Sequence, residues 1–161
     1  MTDRDMLVDA KLGFWQAWFD GTACPNPGRI GIGVVLISPG GNRTEKCAPV
    51  LCGGCNNEAE LHAMNAALAL AHREGAKRII LRGDSDMAIR HVLGMDHTEI
   101  PRFIPLIAQA QEWLLCFDEA RLQWIPGHRN QEADCCSRAA LGLSPRPSAK
   151  VKSSRGRASG A

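Results

Sequence analysis

No apolar run in this chain approaches the roughly 20 residues that a membrane-spanning helix needs. The N-terminal stretch, Met1 to Lys11, is charged and lacks a long apolar core, so it is expected not to be a signal peptide. Net charge is scarce as well: a formal +2 over 161 residues argues for no particular partner. Local absences are more informative. No acid follows Leu143, whereas Arg146, Lys150, Lys152, Arg155 and Arg157 all lie there, and these five leave the remainder at −3. A mildly acidic body thus carries a basic tail. No internal repeat is present. The seven cysteines are odd in number and accompany no secretion signal, so they are expected as reduced thiols of a cytoplasmic protein, read as a monomer.

What is present is enough for one folded domain. Hydrophobic residues make up 45% of the chain, which excludes wholesale disorder. Residues 1–12 read as a loose lead-in, residues 13–143 as the domain and residues 144–161 as a disordered basic tail rich in Ser, Pro and Gly. Apolar, β-branched runs predict strands at about Phe14–Phe19, Ile30–Ser38 and Arg43–Leu51. Turn signals at Pro25–Gly28 and Pro39–Asn42 join them into an antiparallel meander. An Ala- and Leu-rich helix is expected over about Asn57–Gly75, capped by Asn56 or Asn57 and ended by Gly75. A buried strand at Lys77–Arg82, helices up to Leu93 and over Pro101–Cys116, a last strand at Arg121–Ile125 and a final helix at Asn130–Leu141 complete the pattern. Three strands in a meander followed by alternating helices and strands imply a mixed α/β sheet with helices on its faces.

The acids are the second thing present. Asp20 ends the first apolar run, and Asp84 ends Ile79-Ile80-Leu81. Either could merely cap a turn or a helix. Asp86 reads as a surface acid. Asp134 could be a dipole-stabilising acid of the last helix. Glu58 and Glu60 both look like first-turn acids of the long helix, but at about 100° per residue they diverge. Glu58 falls with His62, Asn65, His72 and Arg73 on a face read as solvent-exposed. Glu60 falls with Met64, Ala67 and Ala71 on the face that must meet the sheet, where a carboxylate needs a partner. No Lys or Arg is obviously placed to neutralise Asp20, Glu60, Asp84 and Asp134. Converging carboxylates repel one another. A hard divalent cation with oxygen ligands removes that problem, and two such ions roughly 3.5–4 Å apart suit in-line displacement at phosphorus.

Four blocks now resemble the type 1 ribonuclease H family, across roughly Trp15 to Leu141. They are Asp20-Gly21-Thr22 with Asn26-Pro27-Gly28 and Gly31-Ile32-Gly33; Asn56-Asn57-Glu58-Ala59-Glu60-Leu61; Gly83-Asp84-Ser85; and Trp124-Ile125-Pro126-Gly127-His128 with Asn130 and Ala133-Asp134. The resemblance implies a ribonuclease H-like fold with a five-stranded mixed sheet. It implies hydrolysis of the RNA strand of an RNA–DNA hybrid with two Mg²⁺ or Mn²⁺ ions per site, leaving 3′-hydroxyl and 5′-phosphate ends. The ligands would be Asp20, Glu60, Asp84 and Asp134. His128 would assist proton movement or product release. Gly21, Asn26, Asn56 and Asn57 would meet the hybrid, where the 2′-hydroxyl distinguishes RNA from DNA. The short loop between His128 and Asp134 resembles compact bacterial and archaeal members and the reverse-transcriptase-like branch. Cys55 stands where the family often has Thr, Asp86 where it often has Gln, and the basic, Trp-bearing handle of some bacterial members is absent.

Two alternatives stand beside this reading: a non-cleaving hybrid- or RNA-binding module on the same fold, and a nuclease of this fold with another substrate, such as a DNA strand. Cys52-Gly53-Gly54-Cys55, with Cys47 nearby, could hold zinc or cycle redox, but no second CxxC accompanies it, and buried or loop thiols are the reading adopted. His62, His72, His91 and His97 read as surface or satisfied residues, and Trp15, Trp18 and Trp113 as core.

Overall fold

The computed structural model describes residues 2–147. The expected meander is present, and each of its strands is longer than the apolar run that marks it: β1 Phe14–Cys24, β2 Gly28–Ile37 and β3 Arg43–Gly54. β4 is Arg78–Gly83 and β5 is Glu119–Trp124. Spatial order is β3-β2-β1-β4-β5, with β1, β2 and β3 antiparallel in turn and β4 parallel to both β1 and β5. This is the five-stranded mixed sheet that the pattern implies. The turn between β1 and β2 contains cis bonds before Pro25 and Pro27.

Helices cover both faces. α1 is Asp3–Lys11, α2 Asn56–Arg73, α3 Asp86–Val92, α4 Ile104–Leu114 and α5 Gln131–Ala139. α1 corrects the loose lead-in: the Thr2 hydroxyl accepts from the Asp5 amide, and the Asp5 carboxylate accepts from the Thr2 amide. That reciprocal cap stabilises a helix with no buried residue. The CxxC spans the end of β3, which runs through Gly54, and Cys55 becomes the N-cap of α2. The tail expected as disordered lies mostly outside the described residues, at 148–161.

The main core lies between the sheet and α2. Phe19, Ile30, Ile32, Val34, Leu36, Ile79 and Leu81 meet Leu61, Met64, Ala67 and Leu68 there. α4 then packs over the outer side of α2. Asn65, expected at the surface, is 6% exposed, and its amide donates to the Leu61 and Leu106 carbonyls. The opposite sheet face is polar in places. Fully buried Arg82 donates to Gln16 and Gln123 and lies over the Trp18 ring. Burial lowers its pKa to about 10.

α5 sits on this second face because β2 gives it room. A Cβ at Gly33 would run into the Ala133 carbonyl oxygen and lie 2.5 Å from the Ser137 amide nitrogen. A Cβ at Gly31 would run into the Ser137 carbonyl oxygen. Gly31-Ile32-Gly33 therefore works as a seat: its glycines let the helix backbone rest on the strand, while Ile32 faces the core. Cys47 of β3 is disulfide-bonded to Cys136 of α5, which corrects the expectation of reduced thiols at those two positions. Cys24, Cys52, Cys55, Cys116 and Cys135 are free.

Gly33→Ala is expected to destabilise the protein by about 1–3 kcal/mol through overpacking of β2 against α5. Gly40→Ala, whose new Cβ has only the Ser38 hydroxyl at 3.8 Å, should stay within about 0.5 kcal/mol of the parent. Urea unfolding of the two variants measures both.

Candidate active site

Strand register brings the first two acids together. Trp18 pairs with Arg82 across the parallel β1–β4 ladder. Side chains alternate along a strand, so Asp20 and Asp84, each two residues further on, emerge side by side on one face. Asp20 is thus within β1, opposite Gly33, and not at the strand's end as the apolar run suggests. Glu60 reaches them from α2. Its carboxylate accepts from the Gly21 amide at 3.3 Å, and a Cβ on Gly21 would collide with the Ala59 carbonyl. Carboxylate oxygens of Asp20, Glu60 and Asp84 all lie within 4.8 Å of one another.

Three neighbours hold this cluster. Ser137, fully buried, donates to Asp20 at 2.5 Å. Asn130, 2% exposed, donates to Asp84 and to the Phe19 carbonyl, both at 2.9 Å. The Trp124 indole donates to the Asp84 carbonyl at 3.2 Å, which places that ring at the rim, 53% exposed. Ser137 escaped the sequence reading, although it lies one helical turn after Asp134 and shares its face.

The electrostatics follow from burial and crowding. Burial pushes Asp20 up to about 7. The Ser137 hydrogen bond opposes that shift, and the Asp84 and Asp134 charges add to it. Burial raises Glu60 well above the usual carboxylate range, with Asp20 and Asp84 adding repulsion. Both acids are thereby pushed toward their neutral forms in the absence of a cation. An all-oxygen donor set at this spacing fits a hard divalent ion, and binding it would release protons.

The remaining expected residues divide. His128 lies in a short 3-10 turn, Gly127–Arg129, and is exposed. It lines a cavity of about 500 Å³ with Asp20, Gly21, Asn56, Glu60, Asp84 and Asp134. Asn56 accepts from the Ala23 amide at 2.9 Å, and Asn26 accepts from the Asn56 amide at 3.0 Å. These bonds spend the two amide oxygens on tying the β1–β2 turn to α2 and leave the amide N–H groups as donors. Asn57 is exposed in the first turn of α2 and is not among the cavity residues. Asp134 lines the cavity, yet it stands outside the mutual cluster of three. It is paired instead with Arg146, at 3.0 and 3.2 Å, which corrects the reading that no cation neutralises these acids.

Glu58 needs a further correction. It is the first-turn acid of α2, but it is 7% exposed and is met by Arg102, in the turn that precedes α4. Its carboxylate accepts from the Cys55 amide at 3.2 Å and from Arg102 at 2.9 Å. Burial alone would raise its pKa, but Arg102 and Cys55 hold it below the usual value. Glu60 lies beyond that first turn and is the glutamate of the cluster.

The model of the family described as "Reverse transcriptase-like" matches residues 18–140. A protein named Ribonuclease HI from the archaeon Halobacterium salinarum is 34% identical over 141 residues, covering 87% of this chain and 71% of that protein. The chain belongs to the type 1 ribonuclease H family. The crystal structure of RNase H1 from H. salinarum superposes with a TM-score of 0.77 at 34% identity, over 81% of this chain and 98% of that one. The N-terminal RNase H domain of a Mycobacterium tuberculosis protein gives 0.74 at 26% identity, over 80% and 98%. LC11-RNase H1, solved in complex with an RNA/DNA hybrid, gives 0.72 at 27% identity, over 80% and 96%. The ribonuclease H-like fold is therefore shared over 80–81% of the chain.

Two predictions follow from the acids of this ribonuclease H site. In EDTA, the stability contributed by neutral Asp20 is fully present below its unfolded value, near pH 4, and is lost as pH rises through about 7. Asp20→Asn should therefore flatten the fall in melting temperature between about pH 4 and pH 8, and saturating Mg²⁺ should offset that fall in the parent. Glu60→Gln should abolish most hydrolysis and raise the metal-free melting temperature by removing the cost of burying a carboxyl beside Asp20 and Asp84. Glu58→Gln should keep most activity and cost roughly 1 kcal/mol by weakening the Arg102 and Cys55 contacts. Hybrid cleavage and thermal melting of the two purified variants separate these outcomes.

Proposed function

We propose that this protein is a metal-dependent endonuclease that hydrolyses the RNA strand of RNA–DNA hybrids. The observation that carries the reading is the three-carboxylate cluster of Asp20, Glu60 and Asp84, set in a cavity with His128, within a chain of the type 1 ribonuclease H family. The neighbour solved with an RNA/DNA hybrid supports the substrate class. All four expected acids are present as acids, which favours an enzyme over a non-cleaving module.

Asp20, Glu60, Asp84 and Asp134 are assigned as ligands of two Mg²⁺ or Mn²⁺ ions. When bound, such ions would activate a water and stabilise the leaving oxygen. The protein's own groups do the rest. Ser137, the Gly21 amide and Asn130 hold Asp20, Glu60 and Asp84 in one orientation each, so little reorganisation is needed as charge develops. Water adds to phosphorus, the bond to the 3′-oxygen breaks, and the products carry a 3′-hydroxyl and a 5′-phosphate. His128, exposed at the cavity rim, receives or returns a proton. Gly21, Asn26, Asn56 and Asn57 border the RNA strand and read its 2′-hydroxyls. Among the described residues no helix is long and apolar enough to cross a membrane. We assign the protein to the cytoplasm as a monomer.

The test is incubation with Mg²⁺ or Mn²⁺ and labelled RNA–DNA, RNA–RNA and DNA–DNA duplexes of one sequence. Cleavage of the hybrid's RNA strand with 5′-phosphate products, lost in EDTA, is the expected result. Equal cleavage in EDTA, or preference for DNA–DNA, overturns the proposal, and hybrid binding without cleavage favours the non-cleaving module.

A further inference from the structure

The fourth acid of the site already has a cation beside it. Arg146 lies beyond α5, in the segment Ser144–Pro147, and its Nε contacts both carboxylate oxygens of Asp134, at 3.0 and 3.2 Å. The segment enters the catalytic cavity, with Pro145, Arg146 and Pro147 lining it beside Asp20, Glu60, Asp84 and His128. Arg138 of α5 steadies the approach by donating to the Ser144 carbonyl at 2.7 Å. Asp134 is only 18% exposed, while Arg146 is 63% exposed. The carboxylate is thus fixed in the site, and the guanidinium can leave it for water.

These facts explain why three acids gather and the fourth stands apart. Asp20, Glu60 and Asp84 approach one another within 4.8 Å, and Asp134 is outside that group. Both of its oxygens face a guanidinium instead. An incoming divalent ion draws on the same two oxygens and carries charge of the same sign as Arg146. The guanidinium and the ion therefore compete at Asp134.

We propose that Arg146 is the resident counter-ion of the metal-free site, a C-terminal strap that must be displaced before Asp134 can ligate. In the metal-free protein it offsets repulsion among the acids. As metal binds, the cation exchanges and the strap leaves the cavity mouth, the side from which the hybrid must enter. Metal uptake and clearing of the substrate path then become one event. The inference rests on the assignment of Asp134 as a ligand in the proposed hydrolase.

The experiment is calorimetric titration of Mn²⁺ and Mg²⁺ into the full-length protein, Arg146→Ala and Arg146→Lys, at fixed pH and ionic strength without nucleic acid. Thermal melting with EDTA and with Mn²⁺ accompanies it. Arg146→Ala should bind metal roughly two- to fivefold more tightly, the range that a partly exposed ion pair can hold back. Its metal-free form should melt lower and its metal-bound form as the parent does. Arg146→Lys, which keeps the charge without the fixed planar contact, should fall between. Equal or weaker metal affinity in Arg146→Ala overturns the strap while leaving the hydrolase reading intact. Equal loss of melting temperature with and without metal also overturns it, because a purely structural contact behaves that way. No divalent binding by any of the three proteins overturns both.

Discussion

Close contact between helix backbone and strand backbone is the constraint on which this molecule depends. Two helices approach the same pair of strands from opposite faces, and both do so over glycine. α2 meets β1 at Gly21, and α5 meets β2 at Gly31 and Gly33. Any side chain there would push a helix outward. The distance lost would be the one over which Glu60 reaches the Gly21 amide, or Ser137 reaches Asp20. Those bonds orient carboxylates that would otherwise turn away from one another. Packing at three glycines therefore sets the orientation of two acids.

That arrangement is costly without a cation, and the structure shows how the cost is distributed. Burial and mutual repulsion push Asp20 and Glu60 toward their neutral forms. Asp84 is held by Asn130, whose amide also ties down the Phe19 carbonyl. Asp134 has Arg146. The acids thus meet three devices, and only the guanidinium brings compensating charge.

The fold class and the sheet-facing glutamate are legible in the sequence because both depend on periodicity. Strand alternation and the 100° helical step are local rules, and they point Glu60 at the sheet. They cannot show what lies on the other side of a helix. Glu58 and Asn65 look solvent-facing in the sequence because nothing in α2 announces that Arg102 and α4 will cover them. The extent of β1 was hidden for a similar reason: Asp20-Gly21-Thr22 resembles a turn until pairing with Ile32 and Gly33 extends it. α1 lacks a buried stripe, so hydropathy missed it, although Thr2 and Asp5 carry the spacing of a reciprocal cap. Ser137 and Arg146 belong to no pattern of their own, and their partners are set by tertiary proximity.

The bond between Cys47 and Cys136 gives the sheet and the last helix a shared fate. It closes a loop across a sequence separation of 89, joining the outermost strand β3 to the helix that bears Ser137 and Asp134. In a chain-entropy description, closing a loop of that size restricts the unfolded ensemble by about 4–5 kcal/mol. Terminal helices commonly fray as separate low-stability units. Here α5 cannot drift from the sheet while the bond is intact, because its anchor is the far edge and not its immediate neighbour in sequence. Ser137 and Asp134, which α5 brings to the acids, are thereby tied to the sheet, although they come from the last of the described helices.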